Sequence, residues 1–357
     1  MESYKQIMLK RAGRHAIGIG IIPTISIVVS LIICAVAGTK LFVSEASLQN
    51  LVYGISFLAL IAFAVSTNLH SGRFDFSIGS MLVFCSTTFL ILARDYIHNL
   101  PLLVVITVLL GALCGLFSGI LYVVLRLPSM IISLGVALLY EAFAYIVTSG
   151  MSRSVLTGQD IQGISAEMNN YVGNTNNFTW IIILTLTAVL LMVFLFNYTK
   201  FGYDYHALQS GQKIGVDTGI KEVPNALWCY VISGALVGLA ATFFACKTSS
   251  TRPDSMLNFA SVGVMFDAFC PLFFADYIRR YCKKEVAILI GVVSYEVIQL
   301  AFGNINSVHT DFTSTVYGII NSLILVTFLI YLNNEKVVNH ALSFKWLRNE
   351  KNPAKNA

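Results

Sequence analysis

The chain has 357 residues, of which 56% are hydrophobic and only 11% are charged, and its formal net charge is +5. Soluble domains carry roughly 25% charged residues, so this composition excludes a water-soluble globular protein and indicates that lipid is the solvent for most of the surface. The seven cysteines show no paired spacing typical of a disulfide framework, no metal site is indicated, and the small positive charge gives no reason to expect nucleic-acid binding.

Apolar runs dominate the chain and predict an all-α membrane protein. A bilayer-crossing helix needs roughly 20 mostly apolar residues, and its backbone groups must bond internally, so each run is predicted to be helical. The third run is short, and the eighth is weak because it contains Asp267 and Pro271. About ten transmembrane helices are predicted, at 16–37, 48–69, 76–93, 101–125, 129–149, 178–198, 226–246, 257–275, 286–303 and 312–332.

The distribution of basic residues predicts the orientation. If the N-terminus is cytoplasmic and the runs alternate, most of the 23 lysines and arginines fall on the inner side, as the positive-inside rule requires. Both termini are therefore predicted to be cytoplasmic, and the first run is interpreted as a retained span rather than a signal peptide. Residues 1–333 are predicted to form a single transmembrane domain, and residues 334–357 a basic cytoplasmic tail.

Two polar stretches interrupt the apolar pattern. HALQSGQKIGVDTGIKEVP (206–224) is the longest connection on the predicted inner side. SGRFDFSIGS (71–80) joins the second and third runs, and its Asp75 is placed either to cap the next helix or to border a solute path in a broken helix.

Two glycine-spaced segments predict close helix packing. GALCGLFSG (111–119) and SGALVGLAA (233–241) each place small residues four apart on one helix face, which lets helix backbones approach closely. Their shared GAL-x-GL pattern reflects either an internal duplication or chance.

Carboxylates inside the predicted spans are the candidate chemistry. A charge at the centre of a bilayer costs about 3 kcal/mol on insertion scales, so Glu141, Asp267 and Glu296 should face protein or water. For Glu141 and Glu296 a solute path or proton relay and a helix-tying role both remain open, whereas a structural role is expected for Asp267. No phosphate-loop, zinc-protease or nucleophile-elbow motif is present, so the sequence predicts a protein that is not an enzyme.

Four segments in order carry a family resemblance: FDFSIGSML (74–82), GLFSGILYVVLRLPSMIISLG (115–135), TKFGYDYHALQSGQKIGVDTGIKEVPNALWCYVISGALVGLA (199–240) and YGIINSLILVTFLIYL (317–332). Together they resemble the inner-membrane permease subunits of ATP-binding-cassette (ABC) importers for ribose, galactose, xylose and similar sugars. The resemblance implies a divergent, type II-like importer permease in the bacterial inner membrane that translocates a small polar solute, expected to be a monosaccharide.

The same resemblance implies a set of partners. ATP and Mg would bind in a separate ATPase subunit, with no cofactor in this chain. A second permease subunit, identical or related, would complete the path, and an extracytoplasmic solute-binding protein would deliver the solute. Departures from the family pattern at 71–73, 209–212 and the phenylalanine-rich 269–274 leave open the solute, and whether transport itself is altered.

The resemblance also assigns site residues. It places a coupling loop at about 199–224, where the ATPase would dock. The implied contact residues are Tyr205, His206, Ala207, Ser210, Gly211, Ile214, Gly215, Asp217, Gly219 and Ile220. Polar residues in spans seek the protein interior, and those expected along the solute path are Asp75, Ser77, Ser80, Tyr140, Glu141, Glu296, Gln299 and Asn321.

Other functions are compatible with the same pattern. One is a proton-coupled secondary transporter that uses Glu141 and Glu296. Another is an ABC permease for nucleosides or amino acids instead of sugars, and a third is a membrane scaffold or enzyme that transports nothing.

Overall fold

A computed structural model describes residues 4–36, 38–42, 45–97, 99–148, 178–210, 212–248 and 263–306, with single positions at 319, 323 and 326. Regular structure in these ranges is helical throughout. The helices are α1 (Tyr4–Val36), α2 (Glu45–Leu69), α3 (Ser77–Asp95), α4 (Leu100–Leu125), α5 (Ser129–Val147), α6 (Phe178–Tyr198), α7 (Lys200–Ser210), α8 (Gln212–Asp217), α9 (Glu222–Thr248), α10 (Gly263–Asp267), α11 (Phe269–Ile278) and α12 (Lys284–Asn306). The tail at 334–357 and nearly all of the last predicted span at 312–332 lie outside the described residues.

Seven of the described helices are long and apolar enough to cross a membrane. In the apolar part of α9, 78% of the residues are buried inside the bundle, whereas in that of α1 only 17% are. Large aliphatic side chains on α1, such as Ile17 and Ile32, are more than half exposed, as a surface that faces lipid requires. The candidate spans are His15–Val36, Ser47–Leu69, Leu100–Leu125, Ser129–Val147, Thr179–Tyr198, Glu222–Lys247 and Lys284–Asn304.

The third and eighth predicted runs are the ones that deviate. The third forms a short apolar helix at Ser77–Ala93. The eighth, predicted as one helix over 257–275, is interrupted where described: α10 ends at Asp267 and α11 begins at Phe269. Pro271 is accommodated because it lies in the first turn of α11, where backbone N–H groups have no intrahelical acceptor.

The two glycine-spaced segments pack against each other, so α4 and α9 form a close seam. A Cβ atom at Gly111 would lie 2.8 Å from the Cα of Gly238, and one at Gly234 would lie 2.9 Å from the Cα of Gly115. Only glycine allows this approach, because any side chain would overlap the backbone of the facing helix. The glycines of both segments therefore have the predicted packing role.

Contacts at both ends of α12 hold it parallel to α1. Near the start of α12, His15 Nδ1 lies 3.1 Å from the carbonyl oxygen of Tyr281. Near its end, Asn304 Nδ2 donates to the carbonyl oxygen of Leu41 across 2.8 Å.

We name the end of the bundle that holds residues 70–76, 199–221 and 279–284 the coupling end.

Candidate coupling and transport sites

The segment between α6 and α9 consists of two short helices, α7 and α8. The chain folds back sharply after α6 and brings Gly202 against the backbone of Phe196. A Cβ at Gly202 would lie 2.5 Å from the carbonyl carbon of Phe196, so the turn requires glycine here. At the far end Gly219 has φ +89, and Ile220 donates its N–H to the carbonyl of Gly215 across 3.1 Å. This bond pattern closes the end of a helix at a residue of positive φ, and it gives the segment defined bounds.

Tyr205 holds this segment to the bundle. Its side chain is fully buried, and its hydroxyl donates to the carbonyl of Thr67 across 3.1 Å. The same hydroxyl accepts a hydrogen bond from Lys284 Nζ at 3.2 Å, and its ring meets that of Phe196 edge to face, with centroids 4.8 Å apart. Tyr205 therefore anchors the segment through contacts within this chain, and its contact with an ATPase stays a prediction.

Gly215 is likewise an internal contact. A Cβ at this position would lie 2.9 Å from Leu208 Cδ2, so the glycine makes room for α7 against α8. That it also lets the segment sit closely in a partner's groove stays a prediction.

Two residues on the outward surface of the segment are absent from the predicted contact set. Tyr203 is 65% exposed and Val216 is 44% exposed. In the sequence, an aromatic and an aliphatic residue within a polar stretch could have indicated them. Of the predicted contacts, Ala207, Asp217 and Gly219 are exposed, and His206 and Ile220 are half-buried. Gly211 and the side chains of Ser210 and Ile214 lie outside the described part.

An electrostatic cluster lies beside Tyr205 at the coupling end. His70 Nε2 lies 3.6 Å from Asp276 Oδ1, and Arg279 Nη1 lies 3.3 Å from the same oxygen. Burial lowers the pKa of His70, the charge of Lys284 lowers it further, and Asp276 only partly opposes this. This cluster could not be predicted from the sequence, because His70 lies far along the chain from Asp276 and Arg279.

Arg73, one of the departures from the family pattern, ties the loop after α2 to α9. It is 2% exposed, and its Nη2 lies 3.7 Å from Glu222 Oε1 in the first turn of α9. Its guanidinium stands 5.8 Å from the ring centre of Tyr122. A buried arginine with these neighbours links the loop to both α4 and α9.

Several predicted path residues make hydrogen bonds at the start of α3 and between α3 and α5. Asp75 Oδ1 accepts hydrogen bonds from the Ser77 backbone N–H at 3.0 Å and the Ser77 hydroxyl at 2.6 Å, so the carboxyl group caps α3. Burial raises the pKa of Asp75, and these bonds oppose that shift. Ser80 then donates to Glu141 Oε1 across 3.3 Å. This contact favours the helix-tying interpretation of Glu141.

Tyr140 belongs to the same interior. Its hydroxyl donates to the carbonyl of Cys114 across 2.6 Å and lies 2.7 Å from the Ser118 hydroxyl oxygen. Tyr140 therefore joins α5 to α4, and the next residue, Glu141, joins α5 to α3.

Glu296 stands apart from that group. It lies on α12 against α2, where a Cβ at Gly54 would be 2.8 Å from Glu296 Cδ. Lys247 and Asp267 are the charged groups that act on it. Gln299, on the same helix, is half-buried, and Asn321 lies outside the described residues. The predicted path residues thus fall into two groups, one around α3 and α5 and one on α12.

Seven apolar helices of membrane-crossing length and a tightly packed glycine seam between two of them are the features of a polytopic membrane protein. The chain belongs to the family described as branched-chain amino acid transport system / permease component, which matches residues 47–329. It is thereby a multi-pass inner-membrane protein, and the predicted resemblance to permeases of ABC importers is confirmed.

Individual relatives agree with this at low identity. The autoinducer 2 import system permease protein LsrC of Escherichia coli O9:H4 (strain HS) is 26% identical over 213 residues, which is 57% of each chain. The LsrC of Yersinia pestis (strain Pestoides F) is 26% identical over 196 residues, 53% of this chain and 51% of that protein. The inner membrane ABC transporter permease protein YjfF of Escherichia coli (strain K12) is 24% identical over 227 residues, 64% of this chain and 66% of that one. The chain therefore spans about half to two thirds of the length of these relatives, and no solved structure matched it.

Proposed function

We propose that this chain is the membrane-spanning permease subunit of an ATP-driven importer for a small polar solute. The observation that carries the proposal is the anchored connection α7–α8, which presents Tyr203 and Val216 outward while Tyr205 is bonded inside the bundle. A short rigid segment of this kind suits a site where an external motor acts on the helices.

The finer topology is part of the proposal. Ten spans with both termini in the cytoplasm would place the coupling end inside the cell. The basic residues support this, because Arg279, Arg280, Lys283 and Lys284 cluster at that end, as the positive-inside rule predicts for cytoplasmic loops. Residues 334–357 would be a cytoplasmic tail.

The partners follow from the same proposal. A separate ATPase subunit would bind ATP and Mg and dock on the exposed face of α7–α8. A second permease subunit, identical or related, would complete the path, and a binding protein outside the cell would deliver the solute. This chain would carry no cofactor and catalyse no reaction. The relatives named as an import system permease and an ABC transporter permease support this division of labour.

The hydrogen bonds at Tyr205 supply a mechanical route. A displacement of α7 by the ATPase acts directly on the C-terminal turn of α2 through Thr67 and on the first turn of α12 through Lys284. Both helices continue across the membrane, α2 from Glu45 and α12 to Asn306. Their tilting would change the far side of the bundle when nucleotide is bound or released.

The solute we propose is a monosaccharide or a similar polyhydroxylated molecule. The sequence resemblance to sugar importer permeases supports it, whereas the family description names branched-chain amino acids. The rival proton-coupled transporter relied on Glu141 and Glu296 as carriers. Glu141 is engaged by Ser80 between α3 and α5, and membership of a permease family with ABC importer relatives favours the ATP-driven function.

Affinity purification of the chain from its native membrane, followed by identification of its companions, tests the proposal. We expect an ATPase subunit and a binding protein to co-purify. The purified assembly is then reconstituted with ATP in the vesicle lumen and an imposed proton gradient, acidic outside, and assayed with labelled ribose, xylose, galactose and leucine. Uptake of a sugar that needs ATP and survives an uncoupler is expected. Uptake that survives ATP depletion and collapses with the uncoupler would overturn the proposal in favour of proton coupling.

A further inference from the structure

A polar cluster lies between α2, α9 and α12, away from the coupling segment. Lys247 Nζ, near the end of α9, stands 4.1 Å from the centre of the Tyr53 ring. The Glu296 carboxylate packs against the α2 backbone at Gly54, next to Tyr53, and its charge acts on both Tyr53 and Lys247. Three helices thus bring a phenol, an ammonium and a carboxylate together.

The Tyr53 hydroxyl sets this cluster apart from ordinary packing. Tyr53 is only 7% exposed, and its hydroxyl has no hydrogen-bond partner in the part of the chain that the structure describes. Buried hydroxyls are nearly always bonded, because an unsatisfied one loses its hydration without replacement. Tyr140 and Tyr205, which are buried as deeply, both make such bonds. The Tyr53 hydroxyl is therefore available to a group that the described protein does not supply.

Aromatic rings form a wall beside these polar groups. The Tyr53 and Phe57 rings are stacked, with centroids 6.1 Å apart and planes 5° from parallel. The Phe57 ring in turn lies 5.8 Å from that of Phe244, which is one helical turn before Lys247 on α9. Lys247 itself is exposed among the described residues, so the cluster is open at that side.

This combination fits one chemical class of ligand. Small-molecule sites pair an apolar or aromatic surface with a few placed polar groups. A sugar ring has an apolar face of C–H groups that can lie on an aromatic wall. Its hydroxyls can donate to a carboxylate and accept from an ammonium or a phenol, and bonds to charged groups are the strong ones.

We propose that Tyr53, Lys247 and Glu296 form a solute-binding site within this subunit for a polyhydroxylated molecule of the monosaccharide class. The inference rests on the proposed transport function and assigns the place where the solute is held. Tyr53 lies about 20 Å along α2 from Thr67, at 1.5 Å per residue, so it is remote from the coupling end. Thr67 on α2 and Lys284 on α12 both bond to Tyr205, and the same two helices carry Tyr53 and Glu296. Movement of these helices at the coupling end therefore changes the distance between Tyr53 and Glu296.

The test uses Tyr53→Phe and Glu296→Gln in the complete co-purified importer, reconstituted with ATP inside and saturating binding protein outside. Tyr145→Phe is the matched control, because this tyrosine is 41% exposed on α5 and is not part of the cluster. The probes are labelled ribose, xylose and galactose. We expect Tyr53→Phe to lower the maximal uptake rate about threefold to tenfold and Glu296→Gln at least about tenfold, with the control within about twofold of wild type.

Thermal unfolding separates binding from packing. Tyr53→Phe removes only a hydroxyl that has no partner among the described residues, so its Tm should equal that of the wild type or exceed it. A Tm loss that parallels the loss of uptake in both variants would overturn the site and leave a structural role. Unchanged uptake in both variants, with an active wild type, would overturn the site alone. Failure of the wild-type importer to move any of the three sugars would instead overturn the carbohydrate assignment, and this inference with it.

Discussion

Lys284 Nζ donates a hydrogen bond to the Tyr205 hydroxyl across 3.2 Å, and this joins the first turn of α12 to the middle of α7. The same hydroxyl donates to the carbonyl of Thr67 at the end of α2. One phenol oxygen thus connects the proposed coupling segment to two long helices, which makes it the point where a force on α7 would enter the bundle.

Tyr205→Phe should destabilise the protein, because it removes both bonds and leaves the ammonium of Lys284 without this acceptor. The loss of a buried partner costs about 1–3 kcal/mol, which corresponds to a Tm decrease of roughly 1–2 °C per kcal/mol for a chain of this size. Thermal unfolding of the purified permease measures it. Tyr203→Phe is the control, since Tyr203 is 65% exposed and should leave the Tm unchanged. Equal Tm values for both variants would show that the Tyr205 hydroxyl does not anchor α7.

Val216→Glu should uncouple the permease from its ATPase without unfolding it. Val216 is 44% exposed on α8, so a carboxylate there is hydrated in the free subunit and desolvated only when a partner covers it, which is costly for an unpaired charge. We expect co-purification of the ATPase to fall by at least about tenfold, equivalent to about 1.4 kcal/mol.

Val216→Ile serves as the control for that experiment, because it keeps the surface apolar and should retain the ATPase. An unchanged yield of ATPase with Val216→Glu would show that this face of α8 is not the docking surface. Gly215→Leu is a poor substitute, since its side chain would press on Leu208 within the same segment and would disturb α7 and α8 themselves.

Gly115→Ala should weaken the seam between α4 and α9. Its Cβ would lie 2.9 Å from the carbonyl carbon of Tyr230, and backbone cannot move aside as a flexible side chain does. Overpacking of this kind costs about 1–3 kcal/mol. Gly135→Ala on α5 is the matched control: nothing lies within 4 Å of its added Cβ, so the better helix propensity of alanine should stabilise it by up to about 1 kcal/mol. Thermal unfolding that ranks the two variants the other way round would contradict the seam.

The glycine seam was predictable from sequence and the burial of Tyr205 was not, for a physical reason. Glycines spaced by four mark one helix face whatever the partner is, so the period alone identified Gly111 and Gly234 as packing residues. The burial of Tyr205 depends on Thr67, 138 residues away, and on Lys284, 79 residues away. No local pattern records such a meeting, and the polar sequence around Tyr205 suggested a solvated surface instead.

The same reasoning applies to the proposed solute site. Glu296 was identifiable because a carboxylate in an apolar run is costly and therefore conspicuous. Tyr53 is an ordinary residue for the end of a span, and Lys247 looks like one of the basic residues that flank spans. Their juxtaposition arises only from the packing of α2 against α9 and α12.

Acidification should destabilise the coupling end through His70. Its pKa is lowered in the folded protein by burial and by Lys284, with Asp276 opposing this, while Arg279 faces Asp276 from the same side. Below the unfolded value of about 6.5, the unfolded chain binds the proton before the folded chain does. Stability is therefore lost as the pH falls through about 6.5, and His70 contributes no pH dependence above that range.

His70→Gln isolates this effect from the other titrating groups. The Tm of wild type minus that of the variant is measured at pH 7.5 and pH 5.5 on the purified permease. We expect this difference to shrink at pH 5.5 by about 1–2 °C, because only the wild type carries the histidine whose protonation the folded state resists. A difference that grows on acidification would mean that protonated His70 is stabilised by Asp276, and that the charge pair outweighs burial at this site.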